Sequence, residues 1–185
     1  YDALQGKAYV LYWTGQYAQA RVIFQDLAAK RPDDAQNTEA LKGISSAEEE
    51  AKWAALRPAS GAPPQDLLAY CDKRLAAYPD DLQALKGRAY AQAQLNDFPA
   101  AIQTYRQVLE KYPDDRTSKM ELGRLLARDG QYDGSIRYYR EVLKDAPDDL
   151  EALESLGRVY VWSKQDREAL PIYQGLSARN PANND

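Results

Sequence analysis

Four tripeptides set two carboxylates side by side: Pro32-Asp33-Asp34, Pro79-Asp80-Asp81, Pro113-Asp114-Asp115 and Pro147-Asp148-Asp149. Paired acids are the raw material of general acid–base catalysis, in which one group donates a proton and another accepts it. Arg124, Arg128 and Arg158 carry planar guanidinium forks that can share one anionic ligand. Tyr9, Tyr12, Trp13, Tyr90 and Trp162 offer flat faces that stack on sugar rings or anchor a peptide at little cost in entropy. Each set also has a plainer reading. Aromatic rings also pack against a neighbouring helix, and arginines are often solvated beside acidic residues on their own helix. The run Glu48-Glu49-Glu50 reads as a wet helix face or as favourable charge in the first half of its helix. Histidine is absent, which removes the commonest general base and the commonest metal ligand, and Cys71 is the single cysteine. No cofactor or metal is therefore expected, and the Asp pairs need an explanation other than catalysis.

The explanation lies in their spacing. Pro79, Pro113, Pro147 and Pro181 stand 34 residues apart, with Pro32 opening the series. Eight residues before each proline are Phe24, Cys71, Tyr105, Tyr139 and Tyr173; twelve before are Ala20, Leu67, Ala101, Ser135 and Ala169. Further upstream, Ala8, Ala89, Gly123 and Gly157 share another small-residue register. Small residues let two helices approach closely while the aromatics fill the space beside them, so each unit is a helix pair. The turns Thr14-Gly15-Gln16-Tyr17, Leu95-Asn96-Asp97-Phe98 and Asp129-Gly130-Gln131-Tyr132 carry a Gly or Asn suited to the left-handed conformation that ends a helix. The fifth unit has Ser163-Lys164-Gln165-Asp166 there, and the same geometry is expected with slight strain. At the boundaries, proline stops one helix and an Asp caps the next. The paired carboxylates thereby become structural caps, and no catalytic constellation is left.

The second interval, Pro32 to Pro79, is 47 residues, one unit plus 13. Matching Ala40-Leu41-Lys42-Gly43 to Ala84-Leu85-Lys86-Gly87 puts three extra residues in the incoming turn and ten between the helices. Residues from Ser46 through Trp53 to Leu56 favour helix, whereas Arg57-Pro58-Ala59-Ser60-Gly61-Ala62-Pro63-Pro64 does not. An overlong first helix and an exposed Pro/Gly loop are expected. Cys71, in place of an aromatic, is expected to be a small buried hydrophobe.

The reading is therefore of an all-α solenoid of five antiparallel helix pairs forming one array over 1–185, with units of about 1–34, 35–81 (with the insertion), 82–115, 116–149 and 150–185. With only four residues after Pro181, and no polar helix to cover the last pair, the array is expected to continue at both ends. No run approaches the ~18 apolar residues of a membrane helix, so no direct membrane insertion is expected of this segment. Net charge is −4 with both signs interspersed, which leaves no basic stripe for nucleic acid.

The 34-residue unit, with its two small places, its aromatic and its terminal proline, resembles the tetratricopeptide repeat. That resemblance implies a right-handed superhelix whose first helices line a concave groove for a peptide or partner protein. The family's groove places fall here on Gln5, Tyr9, Tyr12, Trp13, Lys42, Ser46, Glu49, Glu50, Lys86, Tyr90, Gln94, Met120, Arg124, Arg128, Glu154, Arg158, Val161 and Trp162. Of these, Tyr9, Tyr12, Trp13, Lys86, Tyr90, Arg124, Arg128, Arg158 and Trp162 are the candidate ligand residues. The Asn positions of the carboxylate-clamp repeats are not filled. The segments Tyr12–Tyr17 and Tyr160–Ser163 resemble Tyr/Trp-bearing repeats in periplasmic parts of bacterial outer-membrane exopolysaccharide secretion proteins, including those for cellulose. Together the resemblances imply a non-catalytic scaffold in a bacterial envelope assembly, in the periplasm, with the cytoplasm as the alternative location, and with a protein or peptide partner. The alternative is a segment of a polysaccharide export protein that contacts glycan or the synthase complex.

Overall fold

The structure, a computed structural model, describes residues 1–179; the Pro181 helix stop and the end of the fifth unit lie outside them. The described residues form ten helices: α1 (Asp2–Trp13), α2 (Tyr17–Lys30), α3 (Ala35–Leu56), α4 (Pro64–Ala77), α5 (Leu82–Gln94), α6 (Phe98–Lys111), α7 (Arg116–Arg128), α8 (Tyr132–Asp145), α9 (Leu150–Trp162) and α10 (Asp166–Arg179). They fall into two compact units, Tyr1–Arg57 with α1 to α3 and Pro58–Asp185 with α4 to α10. In both, consecutive helices stack as the repeats of a solenoid, so the all-α reading holds.

Each first helix after a boundary begins on an aspartate. Asp34, Asp81, Asp115 and Asp149 accept from the amides of Gln36, Ala84, Ser118 and Ala152 at 3.0, 2.9, 2.8 and 3.1 Å. These bonds satisfy donors that a helix start leaves free, and the negative charge suits the positive helix end. Each cap carboxylate is also tied to a second side chain: Asp34 to the Tyr1 hydroxyl (2.7 Å), Asp81 to Arg74 (2.5 Å), Asp115 to Lys86 (2.9 Å) and Asp149 to Arg116 (2.6 Å). The Arg116 guanidinium holds the Asp149 carboxyl below its ordinary pKa. At Asp81 burial pushes the other way but is outweighed by the Ala84 amide and Arg74, so that pKa too is lowered. The preceding acids do different work: Asp80 and Asp148 pair with Lys111 and Arg179 near the end of the following second helix.

Ala8, Ala20, Ala89, Ala101, Ser135, Ala169, Gly123 and Gly157 are all buried, as close helix approach requires. Cys71 is buried as well, 1% exposed, filling the repeat's aromatic place.

The insertion is distributed differently from the expectation. α3 starts directly after its cap Asp34, so the three residues assigned to the incoming turn are helical instead. α3 has 22 residues against 13 in α5, α7 and α9, nine more, and the loop 57–63 has seven residues against three in the other turns, which accounts for the other four. Asp34 nucleates the helix earlier than the Ala-Leu-Lys-Gly match implied. Pro64, expected in the loop, opens α4, where its missing N–H costs nothing. The acidic run is not simply a wet face: Glu48 pairs with Arg21 of α2, and Glu49 accepts from the buried Trp53 indole at 3.0 Å.

The tight turns share one geometry, with a left-handed residue at Gly15, Asn96, Gly130 and Lys164 (φ 78°, 63°, 76° and 60°). A side chain costs roughly 1 kcal/mol in that conformation, and only Lys164 is neither Gly nor Asn. Lys164→Gly is expected to stabilise the protein by about 0.5–1 kcal/mol in a urea titration; an unchanged midpoint would show the turn to be relaxed.

Candidate functional site

On α1, Tyr9 is half-buried, stacked on Trp13 (ring centroids 5.4 Å apart, 28° between planes) and edge-on to Phe24 at 4.9 Å. Tyr12 is spent on packing: its hydroxyl lies against Gly43, where a Cβ would come within 2.8 Å of it. Trp13 is 74% exposed. Gln5, read as groove-facing, donates to Asn37 Oδ1 at 3.1 Å within a network that includes Asp34, so its amide is committed.

In the unit from Pro58 onward the candidates divide. Lys86 is half-buried in its ion pair with the Asp115 cap, a tie across its own repeat, while Tyr90 is 48% exposed on α5. Met120, read as groove-facing, is 6% exposed in a core cluster with Ala152 and Leu156. This apolar side chain turns inward, toward the next repeat.

The remaining four converge. Arg124, Arg128, Arg158 and Trp162 line one cavity of about 230 Å³ together with Ala127, Tyr139, Ser155 and Val159. α7 places 124, 127 and 128 on one stripe, and α9 places 155, 158, 159 and 162 on another, the spacing that puts side chains on one helix face. The floor is apolar and buried, with Ala127 at 5%, Val159 at 2% and Tyr139 at 3% exposure. Burial raises the pKa of the Tyr139 phenol, which keeps it neutral. Trp162, 51% exposed, stands at the edge.

The three guanidinium groups are not equivalent. Arg124 is bound to Glu121 of its own helix, three residues away, with Nε 3.1 Å from the carboxylate. Arg128 lies over the Phe98 ring, 4.3 Å from its centroid, a cation–π contact that fixes its direction. Arg158 is exposed and has no ion-pair partner among the described residues.

No acid among the described residues lines this cavity. Two larger depressions, of about 490 and 430 Å³, run along α8, but Asp133, Glu141 and Glu110 stand there among Arg137, Arg140 and Arg106. Charges of both signs compensate one another in those depressions; in the α7–α9 cavity Glu121 offsets Arg124 alone, and the charges of Arg128 and Arg158 are left uncompensated among the described residues. Ala127, Tyr139, Ser155 and Val159 are not among the candidate ligand residues that the sequence marks. Tyr139 reads in the sequence as the structural aromatic of its repeat, and the only signal for Ser155 and Val159 is the i, i+3, i+4, i+7 spacing that they share with Arg158 and Trp162 along α9.

Family models of the tetratricopeptide repeat match residues 2–34, 68–116 and 126–185. No curated protein matches the sequence. Among solved structures, the chain is similar to a tetratricopeptide repeat protein from Parabacteroides merdae, with 17% identity and a TM-score of 0.61 over 99% of this chain and 68% of that one. It is also similar to MamA (14% identity, TM-score 0.60, covering 97% and 91%). A third similar structure is YrrB, a repeat protein with an unusual peptide-binding site (14%, 0.59, 97% and 86%). At these identities the likeness speaks for the fold. No helix among the described residues is long and apolar enough to cross a membrane.

Proposed function

Because the chain belongs to the tetratricopeptide repeat family, a fold built for protein–protein interaction, we propose that it is a non-catalytic scaffold whose α7–α9 face holds a polypeptide partner. One observation carries this reading: Arg124, Arg128, Arg158 and Trp162 meet around an apolar floor, with no acid among the described residues that line it. Tryptophan and arginine are the residue types that most often dominate binding energy at interfaces. The setting proposed is a bacterial envelope assembly in the periplasm, supported by the resemblance of the Tyr12–Tyr17 and Tyr160–Ser163 segments to exopolysaccharide-secretion repeats.

A displayed random-peptide library selected against the protein tests the reading. Peptides should enrich on the wild type and lose affinity on an Arg158→Ala/Trp162→Ala double variant that melts like the parent. Enrichment indifferent to the double variant would place the binding surface elsewhere. Absence of peptide enrichment, with Trp fluorescence quenched instead by soluble glucan oligomers, would favour the polysaccharide-export reading.

A further inference from the structure

We propose that the α7–α9 cavity takes a segment in which an aspartate or glutamate adjoins a large apolar or aromatic residue, and that Arg158 is the group that pairs with the acid. This rests on the polypeptide-binding reading above and adds the chemical class of the ligand.

The size of the cavity comes first. About 230 Å³ admits one large side chain and not an extended chain, so the cavity is an anchor point for a single side chain of a bound segment. Its floor of Ala127, Val159 and Tyr139 is almost wholly buried, so an apolar body entering there exchanges water for carbon. Trp162 at the edge offers a face against which an aromatic ligand ring can lie offset or edge-on.

Charge complementarity then selects what sits beside that body. Among the described residues three cations and no anion line the cavity, so a lysine or arginine on the ligand would meet like charge. Glu121 already neutralises Arg124, and Arg128 is held over Phe98. Both are oriented by partners within the protein. Arg158 is exposed and without such a partner among the described residues. A carboxylate docking on it gains a charge-assisted, fork-shaped contact without breaking an existing ion pair. Arg124 and Arg128 are thus engaged within the protein, and Arg158 is the guanidinium left to pair with the acid of the ligand.

Blocked peptides, acetylated and amidated so that only side chains carry charge, test this by fluorescence anisotropy. One contains an aspartate–phenylalanine pair, the second asparagine–phenylalanine, the third aspartate–glycine; a fourth ends in phenylalanine with a free carboxylate and no acidic side chain. The aspartate–phenylalanine peptide should bind at least about tenfold more tightly than the other three. That advantage should vanish in Arg158→Gln and survive in Arg137→Gln on α8, both variants melting as the wild type does. Equal binding of aspartate and asparagine peptides, or an aspartate preference that persists in Arg158→Gln, overturns the proposal. So does preference for the free carboxylate. If none of the four binds at millimolar concentration while the library selection succeeds, the ligand class is wrong and the polypeptide reading stands; if both fail, the broader reading falls with it.

Discussion

Gly123→Val should lower the stability of the Pro58–Asp185 unit by about 3 kcal/mol, with the melting temperature falling by roughly 10 °C. Gly123 is buried on α7 against Tyr139 of α8, and a Cβ built there would stand 2.9 and 3.0 Å from Tyr139 Cε1 and Cζ. Real Cβ atoms do not approach so near. Tyr139 can yield only by disturbing its packing, because it is 3% exposed within the cluster that includes Ile136, Val142 and Leu156. The gain of up to about 1 kcal/mol from removing a mid-helix glycine is smaller than the overpacking cost. Gly175 on α10 supplies the contrast, since a Cβ added there would meet nothing within 4 Å: Gly175→Ala should stabilise slightly. Thermal melts followed by circular dichroism check both, and a Gly123→Val protein that melts like the wild type would show that α7 and α8 are not in the close contact described. Displacing Tyr139 also removes the cavity floor, so peptide binding should fall with stability.

The second large effect concerns binding alone. The Arg158→Ala/Trp162→Ala double variant should bind library-selected peptides about a hundredfold more weakly, while its melting temperature stays within about two degrees of the parent. Trp162 is 51% exposed and Arg158 is exposed without an ion-pair partner among the described residues, so neither truncation opens a core or strands a buried charge. Interface hot spots of these two types each commonly cost about 2 kcal/mol or more, and neighbouring ones do not add fully. A hundredfold loss is about 2.7 kcal/mol, well inside that range. Isothermal titration with one selected peptide reads it. Affinity within a factor of three of wild type would remove the α7–α9 face as the binding surface.

Much of the fold was legible because the repeat writes the same physical solution several times. The boundary aspartates were readable as caps from the residues alone, since an acid after a helix-stopping proline recurs at Asp34, Asp81, Asp115 and Asp149. Lys164 was readable as a strained stand-in for glycine because the other turns set the pattern. The site was less legible. A groove place assigned by register states which helix face a residue occupies, not what its side chain reaches. Lys86 reaches back to Asp115 and Met120 turns into the core, while Arg128 lies over a ring thirty positions earlier in the chain. α3 was misapportioned for a related reason: the match at Ala40-Leu41-Lys42-Gly43 measured similarity, whereas the helix starts wherever its cap stands. Tyr139 shows the limit most clearly, because one residue serves both as the repeat's packing aromatic and as the floor of the cavity.

Site-specific photocrosslinking measures the central claim most directly. Benzophenone-bearing phenylalanine is placed at Trp162 on α9 and, separately, at Arg137 on α8, and each protein is irradiated with a library-selected peptide before mass spectrometry. A partner held on the α7–α9 face gives peptide adducts at 162 and none at 137; adducts at 137 with none at 162 would contradict that placement.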